Sequence, residues 1–232
     1  MHNNFRLTLF IFILFLVGCS SPKNTPTPIP QEIRYLALGD SYTIGESVAE
    51  NERWPVQLSD SLSSNGITVI ETNIIATTGW TTAELMSGIE SVNPDSSYDL
   101  VSLLIGVNNQ FRGYDFDIYE EELIQLVDKA ISFAKGDANR VFMVSIPNYG
   151  VTPFGQSRGE DRIRQELLEY DAYANQIADQ YGIPFFNITP ISEKAKDDDT
   201  YIANDRLHPS GKMYTEWVEL MLDEVKLLVD QQ

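Results

Sequence analysis

From residue 32 onward, five short apolar runs alternate with longer amphipathic stretches, and this alternation restricts the fold more than any other feature of the chain. The runs are Tyr35–Leu38, Val69–Ile75, Leu100–Ile105, Val141–Ile146 and Pro184–Asn187, each of strand length and bounded by polar or turn-forming residues. Between them, apolar residues recur at helical spacing. Tyr119, Leu123, Leu126, Val127, Ala130 and Ala134 share one face of a predicted helix, and Ile163, Leu167, Tyr170, Ala174, Ile177 and Tyr181 share a face of the next. Met213, Trp217, Leu220, Met221, Val225 and Leu228 form a third stripe. All three read as core-packing faces. Strand–helix alternation entails right-handed crossovers and a parallel sheet covered on both sides. The expected fold is a three-layer α/β/α domain over residues 33–232, with a mostly parallel five-stranded sheet. A chain of 232 residues with 43% hydrophobic content can bury one such core.

In sheets of this kind, functional groups gather at the carboxyl ends of the strands. The first run stops abruptly at Gly39-Asp40-Ser41, and Asn108 follows the third. Two readings of the first stop are open at this point. The segment starts a helix, with Asp40 or Ser41 accepting a backbone N–H, or it exposes Ser41 as a nucleophile. A nucleophilic serine needs a base, and histidine is nearly absent. His2 lies in the N-terminal leader, which makes His208 the one imidazole of the remaining chain. In Asn204-Asp-Arg-Leu-His-Pro-Ser210, Asp205 stands three residues before His208 and can orient it. One histidine and one cysteine do not make a zinc site of the usual ligands. No metal and no other cofactor is implied.

Residues 1–18 read as a signal peptide. Leu7 to Val17 are eleven uncharged, apolar residues after Arg6, too few to span a bilayer as a helix and suited to a signal core. Leu16-Val17-Gly18-Cys19 resembles a bacterial lipobox, in which the cysteine is lipidated and becomes the mature N-terminus. Cys19 is the only cysteine, so no disulfide forms within one molecule. Residues 19–32 read as the lipidated cysteine and a proline-rich tether, in which the twelve residues Ser20 to Gln31, with Pro22, Pro26, Pro28 and Pro30, form a semi-rigid spacer reaching on the order of 35 Å. The expectation is a protein of the bacterial cell envelope, lipid-anchored to a membrane and facing the periplasm or the exterior. A formal charge of −18 excludes nucleic acid as a partner.

Four segments, in order and in register with the expected strands, resemble the blocks of the SGNH (GDSL-type) serine hydrolase family. They are Gly39-Asp-Ser-Tyr-Thr-Ile-Gly45, Gly79-Trp-Thr-Thr82, Gly106-Val-Asn-Asn109 and Asp205-Arg-Leu-His-Pro-Ser210. The resemblance implies a flavodoxin-like sheet, with Ser41 as nucleophile, His208 as base and Asp205 as its orienting acid. It also implies an oxyanion hole built from the Ser41 and Gly79 backbone N–H groups and the Asn108 side-chain amide. Convergent donors of this kind are what a tetrahedral oxyanion requires. One position departs from the family: Asn109 stands where an aspartate is common, which leaves the local support of Asn108 to be explained. A competing serine, Ser157, lies in Gly155-Gln-Ser-Arg-Gly159, which fits the Gly-x-Ser-x-Gly elbow of α/β-hydrolases. That elbow needs a strand directly before it, and the turn-rich Pro147-Asn-Tyr-Gly-Val-Thr-Pro-Phe154 precedes it instead.

The family hydrolyses carboxylic esters, so the resemblance implies a serine esterase or lipase acting on small-molecule or saccharide esters, from short-chain acyl esters to lysophospholipids. A polysaccharide O-deacetylase of the same fold and a non-catalytic envelope binding lipoprotein are the alternatives. Tyr42, Phe111, Tyr114, Tyr149 and Phe154 fall near strand ends and are candidates to wall an acyl pocket.

Overall fold

The computed structural model describes residues 31–230, together with Met1. The expected signal segment 1–18, Cys19 and the tether up to residue 30 lie outside the described residues. Five strands, β1 (Gln31–Gly39), β2 (Ile67–Ala76), β3 (Leu100–Leu104), β4 (Val141–Val144) and β5 (Phe185–Phe186), form one parallel sheet in the order β2-β1-β3-β4-β5. This is the flavodoxin-like order of a doubly wound sheet. All five residues of the central β3 are buried, because helices cover both of its faces.

β1 begins four residues before its apolar run, so Gln31 and Glu32 belong to the strand and not to the tether. The cause is its pairing with the edge strand β2. Arg34 stands opposite Glu71 in the register and bonds it at 2.5 Å, while its guanidinium also reaches Asp95. Polar side chains here serve a sheet edge, where solvent is near.

The helices are α1 (Ser41–Ile44), α2 (Trp54–Ser64), α3 (Thr82–Val92), α4 (Val107–Arg112), α5 (Phe116–Phe133), α6 (Pro153–Gln156), α7 (Glu160–Tyr181), α8 (Thr189–Ser192) and α9 (Gly211–Asp230). α2 packs with α9 on one side of the sheet, and α3, α5 and α7 run side by side on the other. Trp54 of α2 and Trp217 of α9 are fully buried, and the Trp54 ring meets Phe142 of β4 edge-on at 6.3 Å. On the opposite side, Tyr119 of α5 lies 4.4 Å from Tyr170 of α7. The α5 stripe is buried throughout, while Tyr181 closes the α7 stripe half-buried. The α9 stripe needs one correction. Leu220 is 49% exposed, and Tyr214 and Val218 take the buried positions beside Trp217 and Met221. Leu220 immediately precedes Met221, and one residue turns a helix by 100°, away from the sheet.

The strand order decides where chemistry can gather. β1 lies between β2 and β3, so the segments leaving the carboxyl ends of these three strands are neighbours. Those segments carry Gly79, Ser41 and Asn108.

Candidate active site

The nucleophile turn is built from close contacts. A Cβ on Gly39 would stand 2.2 Å from Thr43 Oγ1 and 2.5 Å from the Leu104 carbonyl oxygen, so β1 can end against α1 only on a glycine. Asp40 then caps α1, its Oδ1 accepting the Tyr42 N–H at 3.0 Å, and Gly45 closes the turn at φ 70°. The helix-entry reading holds, and the geometry is compatible with the other. Asp40 is the helix cap, and capping leaves Ser41 at the first helical position, its N–H donating to no other group among the described residues. Ser41 is 4% exposed and opens onto a pocket. Asp40 itself is fully buried and its Oδ2 has no partner among the described residues. Burial pushes this carboxyl up to about 7.

The second and third segments are tied to each other. Gly79 adopts φ 87°, in the left-handed region that favours glycine, and its N–H is likewise unengaged among the described residues. Asn108 Nδ2 donates to the Trp80 carbonyl at 2.9 Å. That bond fixes the amide orientation and leaves the second Nδ2 hydrogen free to donate. Asn109 is fully buried and spans back to the start of α3: its Oδ1 accepts the Thr82 N–H at 3.0 Å, and its Nδ2 donates to Thr82 Oγ1 at 2.6 Å. The Thr82 hydroxyl, now an acceptor, passes its own proton to Glu122 of α5. An amide therefore stands in for the family's aspartate because Glu122 supplies the missing acceptor. Nothing local marks Thr82 and Glu122, which are remote from Asn109 in sequence.

His208 and Asp205 come from the loop before α9. The His208 ring donates from Nδ1 to Asp205 Oδ2 at 2.5 Å. Asp205 Oδ1 accepts the N–H groups of Leu207 at 2.9 Å and His208 at 3.0 Å, and Ser47 Oγ donates to Oδ2 at 2.8 Å. Desolvation alone would raise this carboxyl, but the bonds from the His208 ring, the two N–H groups and Ser47 outweigh it and hold it at about 2. Asp205 is thus an anion aimed at the imidazole. His208 is buried at 7% exposure, and its ring stands edge-on to Tyr42 at 5.6 Å.

Ser41, Gly79, Asn108 and His208 line one cavity of about 170 Å³, with Asp205 behind the imidazole. Its apolar wall includes Tyr42, Phe111, Tyr149 and Phe154, with Val107 and Leu207. Tyr114 is not part of it; that ring is 44% exposed and borders a separate groove over Phe116 and Tyr170. Ser157 lies outside as well. No strand precedes it, it follows the short α6, and its hydroxyl donates to the Phe154 carbonyl at 2.9 Å. Among the described residues, no cluster of histidine, cysteine and carboxylate side chains is arranged to hold a metal ion.

Known proteins share this fold and this family of sequences. The family described as GDSL-like lipase/acylhydrolase matches residues 37–215. An arylesterase of Vibrio mimicus is 27% identical over 199 residues, covering 83% of this chain and 88% of the relative. Among solved structures, TesA superposes with a TM-score of 0.65 at 18% identity, covering 84% of this chain and 99% of its own. An esterase, EstA, from Pseudoalteromonas sp. gives 0.60 at 20% identity, covering 85% and 99%. The acetylxylan esterase Axe2 from Geobacillus stearothermophilus gives 0.62 at 20%, covering 83% and 94%. The family match takes in all four segments that carry the pocket's polar residues, and this chain belongs to the GDSL-like lipase/acylhydrolase family, as a carboxylic ester hydrolase.

Proposed function

We propose that the enzyme is a serine esterase that hydrolyses short-chain acyl and small aryl esters through an acyl-enzyme on Ser41. The observation that carries this reading is the meeting, at one apolar pocket, of a serine that opens onto it, an imidazole backed by a carboxylate, and three donors. Ser41 Oγ attacks the ester carbonyl carbon while His208 Nε2 takes its proton. Asp205 keeps the proton on Nδ1 and stabilises the imidazolium that forms. Negative charge on the carbonyl oxygen falls to the Ser41 and Gly79 N–H groups and Asn108 Nδ2. His208 returns the proton to the departing alkoxide, and a water then releases the acid by the same steps in reverse order.

The cavity volume supports a small acyl or aryl group. About 170 Å³ is close to the size of an engineered cavity of roughly 150 Å³ that accepts benzene. That is room for one ring or a short chain, and it favours these esters over long-chain lysophospholipids. Acetyl groups on saccharides also fit, and the likeness to Axe2 supports that second reading of the same chemistry. The lipobox-like Leu16-Val17-Gly18-Cys19 supports an enzyme acylated at Cys19 and held at the bacterial envelope by the proline-rich tether.

A fluorophosphonate probe followed by peptide mapping, with a series of 4-nitrophenyl esters from acetyl to palmitoyl and an acetylated xylan, tests the proposal. The expected result is an adduct on Ser41 and kcat/KM that peaks at short acyl chains. An adduct on Ser157 overturns the mechanism, and a rate that climbs to palmitoyl overturns the substrate assignment.

A further inference from the structure

The charge pattern at the pocket mouth departs from that of the rest of the surface. Acidic side chains outnumber basic ones by 34 to 16, so a cation left without a carboxylate is unusual here. Every described lysine has one within 4 Å, and so have Arg34, Arg112, Arg140, Arg162 and Arg164. Among the described residues, Arg53, Arg158 and Arg206 have none.

Two of these three flank Phe154. The Arg158 guanidinium lies 4.1 Å over the Phe154 ring and 5.4 Å over Phe111. Both rings line the cavity that holds Ser41 and His208. Arg206 accepts the Phe154 N–H on its carbonyl at 3.4 Å and directly precedes the pocket residue Leu207. It does so at φ 66°, in a turn closed by its own N–H on the Ala203 carbonyl. Glycine or asparagine would hold that turn with less strain, so the turn alone does not account for an arginine. Three acids of the surrounding elements are already engaged, Asp205 by His208 and Ser47, Glu166 by Arg162 and Gln110, and Glu160 by Lys196, and Asp161, three residues after Arg158, forms no ion pair with it.

A guanidinium stacked on aromatic faces keeps its in-plane N–H donors directed outward, where they match a carboxylate or phosphate. We propose that Arg158, stacked on Phe154 and Phe111, forms an anion subsite at the mouth of the pocket, and that preferred substrates carry an oxyanion on the group that lies along those two rings. This inference rests on the esterase reading above and adds the charge of the substrate to it. Arg158 is then a specificity-determining residue, remote from the bond that breaks.

The test compares 4-acetoxybenzoate with the neutral 4-acetoxybenzamide, which are nearly identical in shape. The amide is the stronger electron-withdrawing group, so intrinsic reactivity runs against the proposal. A third substrate, 4-acetoxyphenyl phosphate, separates a phosphate preference from a carboxylate preference. We expect the wild-type enzyme to favour an anionic ester by about 5- to 10-fold in kcat/KM, which is the scale of a charge-assisted pair at an exposed site. That ratio should shrink as salt rises, fall to about one in Arg158→Gln, and recover in part in Arg158→Lys. Wild-type enzyme that turns over the benzamide as fast as both anions overturns the subsite. So does Arg158→Gln if it slows charged and neutral esters equally, since Arg158 would then only support Phe154. If no ester is turned over and the fluorophosphonate leaves Ser41 unlabelled, the esterase reading falls and the subsite with it.

Discussion

Asp40 offers a test in which the magnitude comes from the structure. Its carboxyl is fully buried at the junction of β1 and α1, with one oxygen capping the helix and the other unpartnered among the described residues. Burial lifts its pKa from 3.8 to about 7. Between those values the folded protein holds a proton that the unfolded chain has released, so stability is fully present below about pH 4 and is lost as pH rises through 7. The shift of about three units corresponds to roughly 4 kcal/mol at 1.36 kcal/mol per unit. Asp40→Asn keeps the oxygen that accepts the Tyr42 N–H and carries no charge at any pH. The variant should therefore match wild type near pH 4 and exceed it at pH 8 by up to about 4 kcal/mol, or roughly 10 °C in Tm for a domain of this size. Thermal melts of both proteins at pH 4, 5, 6, 7 and 8, followed by circular dichroism, give the difference curve directly. Asp171, which burial also raises to about 7, is common to both proteins and cancels. A difference that stays flat from pH 4 to 8, or that turns against the variant as pH rises, refutes the argument.

Asn108 and its neighbour should separate into chemistry and architecture. Asn108→Ala removes an oxyanion donor and should lower kcat by about 10²–10³-fold with little change in KM. Asn109→Ala instead orphans the buried Thr82 N–H and should destabilise the protein by about 2–3 kcal/mol, read as a lowered Tm. Asp205→Asn turns an acceptor of the His208 and Ser47 hydrogens into a donor facing them, and should lower kcat by as much as about 10⁴-fold. Because Asp205 is held at about 2, its stabilising contribution is present above about pH 4 and is lost as pH falls towards 2, so Asp205→Asn should flatten the acid limb of a pH–stability curve. Cys19→Ser should abolish labelling of the protein by an alkyne fatty acid in cells, and equal labelling of both forms would remove the lipid anchor.

The sequence made the centre of this fold readable and its margins obscure, for physical reasons. A strand buried on both faces, such as Leu100–Leu104, can hold only apolar residues, so the run announces itself. β1 was legible only where it crosses the interior; its first residues pair along the edge strand β2, and Arg34 there obeys Glu71 and Asp95, distant in sequence. Leu220 shares the helical spacing of the core stripe yet faces solvent, because spacing alone does not show which side of a broad apolar arc meets the sheet. Ser41 and Asn108 stand out in the sequence because each follows a strand run, and His208 because it is the one imidazole after the leader, with Asp205 three residues before it; Gly79 is singled out only by the resemblance of the four segments to the family. Asn109 looked like a departure without a partner because its partners, Thr82 and Glu122, are joined to it only by the fold.

Asp205 spends its two oxygens on two tasks in the same loop. Oδ1 gathers the backbone N–H groups of Leu207 and His208, while Oδ2 meets the His208 ring. The turn that shapes the loop and the bond that aims the imidazole therefore share one anchor. The bridge between Ile202 and Pro209 closes the base of this segment, and the Ser47 hydroxyl on Oδ2 ties it to the stretch that follows the nucleophile turn, so a single carboxylate fastens the loop, the base and the nucleophile's own segment, and its loss loosens all three at once.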